Sequence, residues 1–221
     1  MDVPMENPLY GVIERGNIHG ATPTLKNEQA IRDMEGVVEV VRLDYGIGVI
    51  ANTLEKALAV KKVLQIDWSK EKVNDFNSQE AFAKYASLAS KKGERKTITN
   101  EGDFKKAMRS AAKTYSLDFK NDYVYHAQME PLNGVAKMAE DGQSIEIWIG
   151  HQQNPSFHKA VGEAVGIDPK NVHINLCYLG GGLGRRSMLD YLLETSLLAK
   201  AVPGKTVKMM WTREDLSLIH I

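Results

Sequence analysis

Apolar side chains recur at every second position in several short stretches, which predicts strands, and every third or fourth in others, which predicts helices. Leu9–Ile13 reads as a strand. Val37–Leu43 is the strongest β segment, because its branched side chains fit a pleated surface better than a helix. Gly46 and Gly48 lead into a short strand, Val49–Ala51. A helix should follow, with Asn52 as its cap, Glu55 as capping-box partner, and Leu54, Ala57 and Leu58 toward the core. It must end near Lys62, since Leu64, Ile66 and Trp68 alternate with Gln65 and Asp67. Residues 69–114 differ, being rich in Lys, Glu, Asn, Ser and Ala. Asn77 and Glu80 predict a helix through about Ser90, and Gly102-Asp103 introduces a short helical piece with Phe104, Ala107 and Met108. Neither has an apolar face wide enough for its own core, so the region reads as a connector.

The second half is patterned more cleanly. Gly134–Glu140 and Gln143–Gly150 form a hairpin about Asp141-Gly142, with Ile145, Ile147 and Ile149 buried. Asn154 and Pro155 should start a helix carrying Phe157, Ala160, Val161 and Ala164 inward, stopped by Gly166. Val172, Ile174, Leu176 and Tyr178 then mark the apolar face of a strand, opposite His173, Asn175 and Cys177. A helix is expected from Ser187, with Asp190 as box partner and a stripe of Leu189, Leu192, Leu193, Ser196, Leu197 and Lys200. Pro203-Gly204 ends it before a last strand that turns Val207, Met209 and Trp211 inward. The fold class is α+β. Residues 1–70 form one small domain, 71–114 a helical connector and 115–221 the start of a second domain. The approach to both termini suggests a piece of a larger fold.

Charge and cysteine content narrow the chemistry. Lys+Arg and Asp+Glu number 28 each, so no net charge recruits nucleic acid or an anionic membrane. The single Cys177 excludes an intrachain disulfide, a four-cysteine zinc site and a self-contained iron–sulfur cluster with cysteine ligands. No apolar run reaches the about 18 residues of a membrane span.

Between the strand at Val172 and the helix after Ser187 lies LGGGLGRR. Gly180, Gly181, Gly182 and Gly184 surround Leu183, more chain entropy than a simple turn requires. The loop lacks a Walker Lys-Ser/Thr, and its spacing fits a dinucleotide fingerprint poorly. Two readings stand. It is a crossover turn with Arg185 and Arg186 in solvent, or a cradle whose unpaired N–H groups hold an anion or oxo ligand. YHAQMEPLN packs His126, Gln128, Glu130 and Asn133 beside a proline bend, either as a pocket wall or as a loop satisfying its own backbone. HQQN before the following helix is a cap loop or a second polar wall. No HExxH or other metal motif occurs, and no nucleophile motif accompanies Cys177.

LGGGLGRR, the upstream HAQMEPLNGVA, the intervening WIGHQQNPSFHKAVGEAVG and the downstream KTVKMMWTRED together resemble the large subunit of molybdenum hydroxylases, the isoquinoline 1-oxidoreductase beta and membrane-bound aldehyde dehydrogenase branch above all. Residues 1–70 resemble the later part of that family's hammerhead domain. The resemblance implies molybdopterin cytosine dinucleotide, hydroxylation of an aldehyde or N-heterocycle with water-derived oxygen, and a small subunit with two [2Fe–2S] clusters. It also implies a cytochrome c or membrane electron acceptor and a bacterial source, either periplasmic or cytoplasmic. On this chain it points to Gly181, Gly182, Leu183, Gly184, Arg185 and Gln153 at the cofactor, and to Met129, Glu130 and Asn133 beside the substrate pocket. Two departures are expected to matter. Leu183 stands where the family has Phe, and the family's catalytic Glu falls after residue 221, so the chain alone should be inactive. A catalytically silent scaffold with the same fold, or a stand-alone phosphate cradle, are the alternatives.

Overall fold

A computed structural model describes residues 3–16, 20–69, 76–91, 96–152 and 155–218. The chain forms two compact units, Met1–Asn74 with Tyr125–Ile221, and Asp75–Val124.

In the first unit the elements run β1 (Leu9–Arg15), β2 (Pro23–Leu25), α1 (Glu28–Arg32), β3 (Val37–Leu43), β4 (Gly46–Ala51), α2 (Leu54–Lys61) and β5 (Ile66–Trp68). The second unit contains α3 (Ser78–Ser90) and α4 (Phe104–Ser110). The first unit resumes with β6 (Asn133–Met138), β7 (Ile145–Ile149), α5 (Phe157–Val165), β8 (Val172–Leu176), α6 (Asp190–Ala201), β9 (Thr206–Met210) and α7 (Arg213–Leu218). Seven strands form one mixed sheet in the order β3-β4-β1-β9-β6-β7-β8, while β2 and β5 pair separately. β9 lies between β1, to which it is parallel, and β6, to which it is antiparallel. The division at residues 70 and 114 therefore does not separate two sheets. Val207 and Met209 of β9 pair in parallel with Leu9 and Gly11 of β1, which joins the two halves into one sheet.

Helices cover both faces. Val12, Val40, Ile47 and Val49 pack with Ile31 of α1 and with Ala57 and Val60 of α2. Ile13, Ile50, Ile147, Met209 and Leu198 pack on the other side with α5 and α6. All six residues of β4 are buried, as a strand covered on both sides requires. The approach of α6 depends on glycine: a Cβ at Gly11 or at Gly48 would lie 2.6 Å from a terminal carbon of Leu198.

Several predicted details shift. Thr53, not Asn52, caps α2, accepting from Lys56 N–H at 3.3 Å. The hairpin turn is not a two-residue loop, since pairing ends at Met138↔Ile145 and Ala139 N–H closes on Ser144 O. Gly166 does terminate α5, at φ 81, while the Asn154 cap lies outside the described residues. β8 ends at Leu176, and Tyr178 is fully exposed rather than on a buried face. The helix after the glycine loop begins at Asp190 without a side-chain cap, because Leu189 holds the cap position, and the Asp190 carboxylate binds Arg185. Its buried residues are Tyr191, Leu192, Glu194, Thr195, Ser196, Leu198 and Ala199, too broad a set for one stripe. β2, α1 and α7 go beyond the predicted elements.

The second unit is built differently. Asn77 Oδ1 caps α3 and Asp103 Oδ1 caps α4. Neither helix has a buried residue. Phe76 and Phe82 meet Tyr123 at centroid distances of 5.5 and 5.8 Å, a small aromatic contact rather than a core.

Candidate functional site

The loop after β8 reverses direction through backbone that ordinary residues avoid. Gly181 and Gly184 have φ of 93 and 91, and Leu183 adopts φ 50 despite its side chain. A left-handed non-glycine residue is costly and marks a conformation fixed by its surroundings. Three hydrogen bonds fix it. Gly180 N–H donates to Glu130 Oε2 (2.9 Å), Gly184 N–H to Gln152 Oε1 (2.9 Å), and Arg185 N–H to Gly182 O (2.8 Å). Gly182 is required for close approach, since a Cβ there would lie 2.5 Å from Gln152 Oε1. Among the described residues, the N–H groups of Gly181, Gly182 and Leu183 have no acceptor. They are three consecutive donors left for something else.

The arginines are neither in solvent nor turned toward a ligand. Arg186 is buried, and its guanidinium donates to the carbonyls of Gly181 (3.0 Å), Gly150 (3.1 Å) and Glu130 (3.1 Å) and to Glu130 Oε2 (2.7 Å). The buried charge ties the loop to the segment before β6 and the segment after β7. Arg185, also buried, places NH1 and NH2 on Asp190 at 3.0 and 2.6 Å. Its Cζ lies 5.3 Å from the centre of Trp211. Trp211 Nε1–H donates to Glu194 at 2.7 Å, and Glu194 also accepts from Arg15. Burial holds the Glu194 carboxyl above its ordinary value despite the opposing charge of Arg15.

A strap of residues 126–130 lies along the loop. A Cβ on Gly184 would stand 3.7 Å from His126 Nε2, one on Gly181 would stand 3.9 Å from Gln128 Cβ, and one on Gly180 would stand 2.6 Å from Glu130 Cβ. Glu130 N–H donates to Gly180 O at 3.1 Å, which makes the contact reciprocal. Burial acts to raise the Glu130 pKa, but the Gly180 and Asn133 hydrogen bonds and the Arg186 charge outweigh it, and the carboxyl sits below the ordinary range. Glu130 is thus an ionised brace. Gln128 is 1% exposed, and neither atom of its amide has a partner among the described residues. Met129 is exposed. Beside the loop, Glu130, Asn133, Trp148, Cys177, Tyr178 and Gly180 line a cleft of about 1000 Å³.

Of the residues singled out in the sequence, Gly181, Gly182, Leu183, Gly184, Arg185, Glu130 and Met129 are gathered about the strap and loop, and Asn133 joins them through Glu130. Gln153 lies outside the described residues. The amide that touches the loop is its neighbour Gln152, which the sequence reading included in the HQQN segment as a possible polar wall but gave no role of its own. Two adjacent glutamines carry no signal to tell which faces inward. Among the described residues, no three His, Cys, Asp or Glu side chains converge as metal ligands, and no helix is long and apolar enough to cross a membrane.

Residues 89–220 match the molybdopterin cofactor-binding domain. The chain belongs to that family. Among its relatives, the beta subunit of isoquinoline 1-oxidoreductase of Brevundimonas diminuta is 28% identical, over 97% of this chain and 28% of the relative. The membrane-bound aldehyde dehydrogenase [pyrroloquinoline-quinone] of Gluconacetobacter polyoxogenes is 27% identical, over 97% and 29%. Among solved structures, quinoline 2-oxidoreductase from Pseudomonas putida 86 superposes with a TM-score of 0.69 at 15% identity, over 97% of this chain and 32% of that one. Aldehyde oxidoreductase from Desulfovibrio gigas gives 0.66 at 16%, over 96% and 28%. These structures share the mixed α+β fold. The chain spans about a third or less of each of these four proteins.

Proposed function

We propose that the chain supplies one wall of the molybdenum-cofactor site in a longer oxidoreductase subunit that acts on aldehydes or N-heterocycles. The observation that carries this reading is the run of unpaired N–H groups at Gly181, Gly182 and Leu183, in a chain of the cofactor-binding family. The donors suit the group. Its oxygen- and sulfur-rich periphery needs hydrogen-bond donors at close range, and glycine backbone allows that approach. When bound, the cofactor would supply two-electron oxidation with water-derived oxygen. The chain's own residues hold the loop open. Glu130 and Gln152 fix its two ends, and Arg186 anchors it from below. Contact with the cofactor therefore falls to the main-chain amides of residues 181–183, with Arg185 acting through Asp190 and Trp211 instead of presenting a free charge. Asn133 lines the adjoining cleft as its substrate-side wall with Glu130 as its brace, and the exposed Met129 beside Glu130 is assigned to the same wall.

In this reading residues 1–70 are hammerhead-like, 71–114 a helical connector and 115–221 the start of the cofactor-binding domain. The cofactor is the cytosine dinucleotide form, and a partner subunit with two [2Fe–2S] clusters passes electrons to a cytochrome c or membrane acceptor. Glu130 is committed to Gly180, Asn133 and Arg186, so it is no free general base, and the base for turnover is assigned elsewhere. The test is anaerobic equilibrium dialysis of this chain against released molybdenum cofactor, with aldehyde-dependent dye reduction alongside. Saturable binding without turnover is expected. Absence of any saturable binding removes the cofactor-wall reading, and turnover removes the claim that the base lies elsewhere.

A further inference from the structure

The strap over the glycine loop does not hold itself in place. Ala127 has φ 48, a left-handed backbone that an alanine adopts only under constraint. Next to it the Gln128 amide is buried with neither donor nor acceptor satisfied among the described residues, which favours any movement that exposes it. Beside the Arg186 and Gly180 bonds to Glu130, a side chain from a distant segment opposes both costs. Arg213 NH1 donates to Gln128 O at 2.8 Å and its NH2 to Met129 O at 2.6 Å, a fork across two consecutive carbonyls. Charge-assisted bonds of this kind are the stronger class.

Arg213 gains nothing from its own helix. It is the first residue of α7, where a cation opposes the helix dipole. That end is already capped by Thr212 and Asp215, each of which accepts from the other's N–H at 3.2 and 2.7 Å. The residue is itself exposed, so its removal opens no cavity. We propose that Arg213 is a positioning residue for the glycine loop. By clamping Gln128 and Met129 it sets the height of Glu130, and Glu130 in turn holds Gly180 through bonds in both directions. The structural part of this inference stands by itself, and its consequence for cofactor rests on the reading proposed above.

The experiment compares the full chain with Arg213→Ala, Arg213→Lys and the double variant Arg213→Ala/Gln128→Met. Amide hydrogen exchange, thermal melting and the same cofactor dialysis are measured for each. In R213A, exchange at Gly180 and Glu130 N–H should quicken about tenfold or more while melting falls by less than about 3 °C. Cofactor affinity should drop about fivefold or more, the size of one lost coupling. R213K should lie between, because an ammonium keeps the charge but lacks the rigid planar fork that meets two carbonyls at once. Q128M, which removes the orphan amide, should restore part of the protection in the R213A background. Unchanged exchange at Gly180 and Glu130 in R213A overturns the clamp. Faster exchange with cofactor affinity intact overturns its role at the site. A wild-type chain that binds no cofactor defeats the site reading instead, while exchange still decides the clamp.

Discussion

Asn77 caps α3 as Thr53 caps α2, by a side-chain oxygen accepting from the helix N-terminus, yet α2 buries Ala57 and Val60 while α3 buries nothing. The contrast extends to the units that hold them. The first unit buries an arginine, a tryptophan and a tyrosine completely around the glycine loop and its supports. The second leaves Phe104 at 76%, Phe119 at 89% and Ile98 at 91% exposure. Local signals are equally good in both, so they cannot be what separates a core from an open surface. Long-range pairing does that. The sheet brings β1 and β4 to β9 and β6, and α6 closes over them, whereas no strand reaches into residues 76–124 among those described. A substitution in the first unit should therefore propagate to the whole unit, and one in the second should stay where it is made.

The sharpest break of this contrast is Arg186→Met. The variant fills similar volume but abandons a half-buried carboxylate and three buried or half-buried carbonyls, a loss of about 3 kcal/mol. Denaturant unfolding should show it as a large fall in midpoint with the slope unchanged. A loss below about 1 kcal/mol would mean that the loop is not braced by this residue. Next in size is Gly48→Ala. Its methyl would lie 2.6 Å from a terminal carbon of the fully buried Leu198 and 3.3 Å from Val41 Cβ. Overpacking costs about 1–3 kcal/mol, offset in part by the lower entropy of alanine in a strand. Shortening the opposing side chain, as in Gly48→Ala/Leu198→Val, should recover some of that loss. If the double variant is simply additive, the glycine is not there to admit α6.

These magnitudes bear on what could be read from sequence. Apolar or branched runs located β1 and β3 and the hairpin signal located β6, while period-two patterning located β7 and β9, where burial alternates along the strand. It failed at β8 beyond Ile174, where the strand reaches the sheet edge and Leu176 and Tyr178 lose their cover. It failed in α6 for the opposite reason, since burial on most of its surface erases the stripe. α1 escaped because its preceding Asn27 gives no cap bond to the helix and instead pairs with Val63 O and Gln65 N–H, 36 and 38 residues away. At the site, the glycines were conspicuous by composition alone. The direction of the arginines was not, because it depends on Glu130 and Asp190 being within reach, and only tertiary contacts decide that. The same holds for Gln152 and for the Arg213 fork, both of which join segments far apart in the chain.

The smallest effect tests the other side of the comparison. Asn77→Ala removes the bonds from Gln79 and Glu80 N–H to Oδ1, at 2.9 and 3.2 Å, and costs α3 about 1 kcal/mol. A 13-residue helix without a buried face is marginal by itself, so that loss should appear as fraying of its first turns. Amide exchange at Ala81 and the residues after it should quicken, and helical ellipticity should fall slightly, with the main unfolding midpoint unmoved. Thr53→Ala supplies the control, because α2 covers the Val12, Ile47 and Val49 cluster and its cap loss should move that midpoint by about 2–4 °C. Should Asn77→Ala shift the midpoint as far as Thr53→Ala does, the exposed helix is tied energetically to the sheet unit, and absence of burial would no longer imply absence of coupling.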